Sequence, residues 1–262
     1  MSVNSHLIDV SSTLVLSETE KDSISTSITT LATRLNSYFE TGIVNQFRFG
    51  SSVRGTILPR SVDSNSDIDY MVVFPSDSQV YKPQTYLNRL KSFVEYRYST
   101  SEIFQSHPTI VLSLSHIKFE LVPALSTWSG YNIPSPSNYL FDWIETAPFA
   151  FNEKVNDANK KYDYKIKPLI RLVKYWNVLK SKPFTSYSLE DYIAGQFFFG
   201  CNSLRDYFYQ FWAGFTVNSS WSQSTQNKVT SAKKAVEEIK QLEIDGYPLT
   251  AENKISKLLP KL

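Results

Sequence analysis

The chain has 262 residues, of which 42% are hydrophobic and 15% aromatic, a composition that excludes an intrinsically disordered protein. Its 27 basic and 25 acidic side chains nearly cancel, which excludes a protein that coats nucleic acid through overall charge, and we find no clear nucleic-acid-binding patch. One cysteine, Cys201, can form neither an internal disulfide nor a cysteine-based zinc site, so a reducing, cytoplasmic location is expected. No run of about 18 apolar residues occurs, so we expect no contact with a membrane.

The first half of the sequence alternates predicted helices and strands. Ser17 and Glu20 have the spacing of a capping box, and the apolar repeat after them predicts a long helix at about 18–40. The pattern that follows predicts strands at 44–49, 67–74, 109–114 and 117–122, and helices at 51–58 and 83–98. Pro123 is expected to end the last of these strands.

Beyond about residue 125 the apolar pattern becomes helical. We expect a Pro/Ser loop at 134–137, and helices at 166–176, 189–199, 204–212 and 228–242. This order predicts an α+β fold: residues 1–125 form a catalytic core with a mixed sheet and a long N-terminal helix, and residues 126–262 form an all-helical lobe. A cleft between two such parts is a common place for a ligand.

A Gly-Ser pair lies where the strand at 44–49 gives way to the short helix. Gly50 would let the backbone approach a phosphate closely, and the Ser51 hydroxyl and the amides at the helix start could bind its oxygens. Taken alone, the pair is more simply explained as an ordinary turn.

Three carboxylates follow in the sequence. Asp67 and Asp69 project to the same side of their strand, and two close carboxylates repel each other unless cations neutralise them. Glu120 lies among the apolar residues of the strand at 117–122, where a carboxylate without a partner is costly. A solvated turn or a structural ion pair explains each acid separately. Together the three could share two divalent cations such as Mg²⁺, which binds oxygen ligands.

Five segments carry a family resemblance. The segments GSSVRGT (50–56), DIDY (67–70) and FELVPA (119–124) resemble the polymerase-β-type nucleotidyltransferases, and more narrowly the bacterial cGAS/DncV-like group, the CD-NTases. The segments LIRLVKYW (169–176) and FTSYSLE (184–190) resemble the second-lobe signature of that group. The resemblance therefore covers most of the chain. It departs from the group at Glu120, where an aspartate is usual.

The resemblance implies an enzyme and assigns roles to its residues. The enzyme would be a template-independent nucleotidyltransferase that makes a cyclic di- or oligonucleotide second messenger from NTPs, ATP among them, and releases pyrophosphate. Its product would act on a downstream effector protein in bacterial anti-phage defence. The residues implied are Gly50 and Ser51 for the donor triphosphate, Asp67, Asp69 and Glu120 for two Mg²⁺ ions (or Mn²⁺ in their place), Lys174 and Ser186 for the donor phosphates, and Tyr187 for the base.

Several of these residues are equally compatible with a different role. Lys174 could be a surface lysine and Tyr187 a core aromatic residue, and Arg54 and Thr56 are expected to brace the loop rather than to bind substrate. The same catalytic residues would also serve a transferase with a macromolecular acceptor, such as a tRNA 3′ end or a protein hydroxyl. A nucleotide-sensing module without activity is a third possibility.

Overall fold

The computed structural model describes residues 2–76, 80–136 and 142–262. The chain divides into two compact units. The α/β unit comprises Leu16–Arg60 and Ser64–Asn152, and the helical unit comprises Met1–Val15, Ser61–Asp63 and Glu153–Leu262.

The α/β unit is built on one mixed sheet. Its strands within the described residues are β1 (Asn45–Arg48), β2 (Asp67–Phe74), β3 (Glu102–Ser106), β4 (Thr109–Ser113), β5 (Lys118–Ser126), β6 (Tyr131–Pro134) and β7 (Trp143–Thr146). Five of them lie side by side in the order β1-β2-β5-β4-β3. Strand β6 pairs with β5 and also with β7. The central pair, β2 and β5, is parallel, whereas the other pairs are antiparallel.

Helices cover one face of this sheet. They are α2 (Glu18–Phe39), which begins at a capping box formed by Ser17 and Glu20, and α4 (Pro83–Arg97). A 3₁₀ turn (Glu40–Gly42) follows α2, and a one-turn helix, α3 (Ser51–Arg54), follows β1. The apolar sides of α2 and α4 pack on alternate residues of β2, including Ile68 and Tyr70, and bury them completely or nearly so. The intervening residues of β2 therefore point to the opposite face of the sheet.

The helical unit is organised around one central helix. Its helices are α1 (Val3–Thr13), most of α5 (Pro148–Lys161), α6 (Ile166–Leu179), α7 (Ser186–Ala194), α8 (Leu204–Gly214), α9 (Gln223–Ile244) and α10 (Pro248–Leu258). The central helix is α6, which packs against α1, α7 and α8 and buries Trp176 edge-on against Trp212, with ring centroids 4.8 Å apart. No helix in the described part of the chain is both long enough and apolar enough to cross a membrane.

The predicted α+β class, mixed sheet and helical second part are confirmed, but several details were wrong. The division does not fall at residue 125, because the β6–β7 pair extends the sheet beyond it and α1 packs with the helical unit. Pro123 does not end β5, which continues to Ser126. The pairing of β5 with β4 stops at Leu121, so a proline at 123 leaves no β4 hydrogen bond unmade.

The helix predicted at 189–199 begins earlier and ends earlier. Thr185 caps it by accepting a hydrogen bond from the Ser188 amide, and it stops at Ala194. The structure also contains β3, α1, α5 and α10, which were not predicted. Of the predicted loop at 134–137, Pro134 is the last residue of β6 and residue 137 lies outside the described residues.

Candidate active site

The parallel pairing of β2 with β5 brings the three predicted acids together. In this register Asp69 lies directly opposite Glu120, and Asp67 lies opposite Lys118. Side chains at paired positions of neighbouring strands project from the same face, so all four groups share the face opposite to α2 and α4. The residues between them, Ile68 and Phe119, point into the core and are fully buried. Segments far apart in sequence thus form one half-buried acidic cluster.

Burial and the neighbouring acid change the pKa of Glu120. Burial raises the pKa of the Glu120 carboxyl from its ordinary 4.5 to about 7; the charge of Asp67 and a side-chain hydrogen bond with Asp67 add to the increase. The ammonium of Lys118 acts in the opposite direction and lowers the pKa of Glu120. Asp67 and Glu120 are therefore within hydrogen-bonding distance of each other.

The donor set suits a hard divalent cation. Within residues 2–76, 80–136 and 142–262, no three His, Cys, Asp or Glu side chains are arranged as a ready-made metal-binding group. Asp67 and Glu120 are instead hydrogen-bonded to each other. The cluster offers only oxygen ligands. A bound cation would offset both the burial that raises the pKa of Glu120 and the repulsion by Asp67 that adds to it.

The Gly-Ser turn lies directly against these acids. Gly50 has a φ of +73°, and a Cβ atom at this position would lie 1.7 Å from Oδ2 of Asp69. The amide of Phe49 donates to the Asp69 carbonyl at 3.0 Å, which fixes the turn to β2. Ser51 is half-buried at the start of α3, and its carbonyl accepts from the amides that follow the helix. Only glycine fits at position 50, because any side chain would occupy the space of the Asp69 carboxylate.

Arg54 is part of the support of this turn. Its side chain is buried, donates from a guanidinium nitrogen to Oδ1 of Asn152 at 3.1 Å and lies over the ring of Phe151, 4.7 Å from its centroid. Thr56, at the end of the same loop, is completely buried. Both residues are buried, and Arg54 makes contacts that support the loop; that neither contacts substrate stays a prediction.

The three predicted residues of the helical unit have different surroundings. Lys174 is only 5% exposed and its ammonium lies 3.1 Å from the carboxylate of Glu190, which is fully buried. Ser186 and Tyr187 lie in the first turn of α7, where Ser186 is exposed and Tyr187 is 60% exposed. The alternatives of a surface Lys174 and a core Tyr187 are therefore both wrong. Tyr187 is largely exposed to solvent, whereas Lys174 belongs to a buried ion pair.

Sequence reasoning missed two charged neighbours of the predicted residues. Lys118 is two residues before Glu120, and strand alternation alone places both on one face. Glu190 is followed by a second acid, Asp191, so the local sequence does not distinguish Glu190 as the buried one. Of the two neighbours, only Lys118 had a signal in the sequence.

Solved structures with the same architecture define the fold of the protein. The chain superposes on CdnC of Escherichia coli MS115-1, solved in a complex with HORMA-deltaN, with a TM-score of 0.74 and 15% identity over 98% of this chain and 97% of that one. It superposes on the Vibrio cholerae dinucleotide cyclase DncV with a TM-score of 0.72 and 10% identity, over 97% and 96% of the two chains. The fold is that of the CD-NTases, which have the polymerase-β-type nucleotidyltransferase fold.

The sequence itself places the chain in a family. Residues 1–159 match the sequence model of the Second Messenger Oligonucleotide or Dinucleotide Synthetase domain, and the chain belongs to this family. It is 34% identical to a probable cyclic nucleotide synthase of Bacillus cereus (strain VD146) over 109 residues. These residues are 38% of this chain and 32% of that protein. It is 24% identical over 183 residues to the cyclic AMP-AMP-AMP synthase of an Acinetobacter species, 67% of this chain and 52% of that protein. The chain therefore spans about a third to a half of the length of these curated relatives.

Proposed function

We propose that the chain joins nucleotides from NTP substrates, ATP among them, into a cyclic di- or oligonucleotide and releases pyrophosphate. The observation that carries the proposal is the placement of Asp67, Asp69 and Glu120 on one sheet face, with Gly50 against the Asp69 carboxylate. Membership in the second-messenger synthetase family supports the same chemistry, and related proteins are a cyclic AMP-AMP-AMP synthase and a CdnC solved with ATP.

The residues of the α/β unit would each have one task. Asp67, Asp69 and Glu120 would hold two Mg²⁺ or Mn²⁺ ions, which supply charge neutralisation at the phosphates and a more acidic acceptor hydroxyl when bound. Because the pKa of Glu120 is raised to about 7, its carboxyl has to lose its proton before the cluster is fully anionic. Gly50 and Ser51 would let the donor triphosphate lie close to the backbone, beside the acids.

The helical unit would contribute to the donor nucleotide. The exposed ring of Tyr187 suits stacking on a base, and the exposed Ser186 hydroxyl can donate to a phosphate oxygen. Lys174 can act in the same way only if its ion pair with Glu190 opens. The product would act in the bacterial cytoplasm on an effector protein that defends the cell against phage.

The proposal is tested by incubating purified protein with α-³²P-labelled NTPs and Mg²⁺ or Mn²⁺. A small labelled product that resists phosphatase, formed together with pyrophosphate, is expected. Label transferred only to added RNA or protein would instead show a macromolecular acceptor. Nucleotide binding without pyrophosphate release would show a sensing module.

The role of the acids is tested by the double substitution Asp67→Asn with Asp69→Asn. We expect pyrophosphate release to disappear while the thermal unfolding midpoint stays the same or rises, because crowded negative charge is removed. Asp22→Asn, which changes an exposed aspartate on α2, is the matched control and should keep full activity. Turnover retained in the double variant would remove the mechanism.

A further inference from the structure

A three-residue segment before β2 belongs to the helical unit. Residues 61–63 pack with that unit, whereas Arg60 before them and Ser64 after them belong to the α/β unit. The guanidinium of Arg60 donates to the carbonyl of Ser64 at 3.3 Å and to that of Leu114 at 3.4 Å. Arg60 therefore ties the two ends of the segment to each other and to the end of β4.

The last residue of the segment forms an ion pair. The Asp63 carboxylate lies 2.7 Å from the ammonium of Lys182, and the two side chains are 11% and 38% exposed. A carboxylate that is nearly buried is stable only with such a partner. Lys182 thus holds residues 61–63 against the turn between α6 and α7.

This turn has an unusual backbone. Ser181 and Lys182 both lie in the left-handed region, with φ of 60° and 49°, a conformation that residues with a Cβ atom rarely adopt. Hydrogen bonds hold the turn in place: the Lys182 amide donates to the Asn177 carbonyl at 2.7 Å. The Asn177 side chain exchanges two hydrogen bonds with the backbone of Phe184, at 2.9 and 3.1 Å. Such strain persists only where the surroundings enforce it, and it is most frequent at functional positions.

We infer that Asp63 and Lys182 are positioning residues for the acids of β2. The pair fixes the segment that leads into β2, since Asp63 precedes Asp67 by four residues and the Arg60 hydrogen bonds close the base of the segment. Neither residue needs to contact substrate for this role. The inference rests on the proposed function because it takes the acids to bind divalent cations. How firmly residues 61–63 are held can nevertheless be measured without any turnover.

The first experiment measures amide hydrogen exchange in the full chain. In Lys182→Met, which removes the charge, we expect peptides covering residues 61–69 to exchange on the order of tenfold faster, whereas peptides from α10 stay unchanged. Lys182→Arg should restore slow exchange, because it keeps the charge. Lys154→Met is the matched control. It breaks the ion pair between Lys154 and Asp191 in the same unit, in which the charged groups lie 2.6 Å apart and both side chains are 44% exposed. It should leave the exchange rate of residues 61–69 unchanged.

A second measurement links the segment to the acids. Titration with Mn²⁺ alone, followed by electron paramagnetic resonance, should show an apparent Kd that rises several-fold in Lys182→Met and returns in Lys182→Arg. Should Lys182→Met fail to fold, Asp63→Asn removes the same charge pair with a side chain of the same shape and replaces it in both measurements. Unchanged exchange at 61–69 and unchanged Mn²⁺ affinity would overturn the positioning role.

The two proposals can fail separately. A wild-type protein that makes no product from NTPs, but whose variants show faster exchange and weaker Mn²⁺ binding, would refute the proposed function and keep the positioning role. If the wild type is active, we expect Lys182→Met to lower kcat and to leave the KM for ATP nearly unchanged, because the acids and not the donor contacts are disturbed. If Lys182→Met lowers thermal stability but keeps the wild-type kcat, exchange rates and Mn²⁺ affinity, the pair of Asp63 and Lys182 has only a structural role.

Discussion

Replacement of Gly50 by alanine would test the geometry on which the proposed site depends. The added Cβ atom would lie 1.7 Å from Oδ2 and 2.6 Å from Cγ of Asp69. To restore van der Waals distance, the carboxylate would have to retreat by about 1.5 Å. A displacement of about 1 Å in a reacting constellation can cost on the order of 100-fold in rate, so we expect pyrophosphate release to fall by at least about that factor.

The chain contains a matched control for this substitution. Gly55, at the other end of α3, has a φ of +70°, nearly the same as Gly50, but a Cβ atom there would meet nothing within 4 Å. Both alanine variants carry backbone strain, but not to the same extent. Gly55 has a ψ of 29° and lies in the left-handed helical region, where alanine costs about 1–2 kcal/mol, or roughly 2–8 °C in the unfolding midpoint. Gly50 has a ψ of −157°, a conformation that is essentially confined to glycine, so alanine is more strained there. Only Gly50→Ala also displaces Asp69.

The assay therefore compares the two variants in pyrophosphate release and in thermal unfolding. We expect a larger loss of stability in Gly50→Ala than in Gly55→Ala, and a large loss of activity in Gly50→Ala alone. Equal activities of the two variants would refute the reasoning, because backbone strain, and not the contact with Asp69, would then explain any effect.

Three further outcomes follow from the electrostatics and exposure of the site. In EDTA, we expect the Glu120 carboxyl of the folded protein to keep its proton up to a pH of about 7, whereas the unfolded chain releases it near the ordinary pKa of 4.5. Stability should therefore fall as the pH rises from 4.5 to about 7, and the unfolding midpoint of Glu120→Gln should not show this dependence. Lys174→Met would break its buried ion pair with Glu190, at a cost of about 3–5 kcal/mol in denaturant unfolding, and Lys174→Met with Glu190→Leu should recover part of it. Tyr187→Ala should raise the KM for ATP by about tenfold or more through lost stacking, whereas Tyr187→Phe should keep the wild-type KM.

Elements with a strong local signal were predictable from the sequence. The boundaries of β2 and α2 agree with the prediction within a residue, because an uninterrupted apolar strand and a capped amphipathic helix are local patterns. Strand β3 was missed because it lies at the edge of the sheet, where nearly all its residues are exposed and the apolar alternation is weak. Pro123 misled the prediction because the effect of a proline depends on which neighbouring strand it faces.

The residues of the candidate site were predictable from the sequence, but the contacts that hold them in place were not. Alternation along β2 predicts that Asp67 and Asp69 share a side, but their distance from Glu120 depends on strand order, which periodicity does not contain. The partner of Lys174 and the contact of Asp63 with Lys182 are tertiary contacts between segments with no local signature.

The parallel pairing of β2 with β5 has a consequence for how the protein acquires its acidic cluster. Helix α4 and strands β3 and β4 lie between the two strands along the chain, so the ladder closes a long loop. Such non-local ladders form slowly compared with neighbouring helices, since the loop entropy has to be overcome before any contact is gained. A nascent chain whose helices have formed thus still lacks the acidic cluster, and any capacity to bind divalent ions there arises only once β2 has paired with β5.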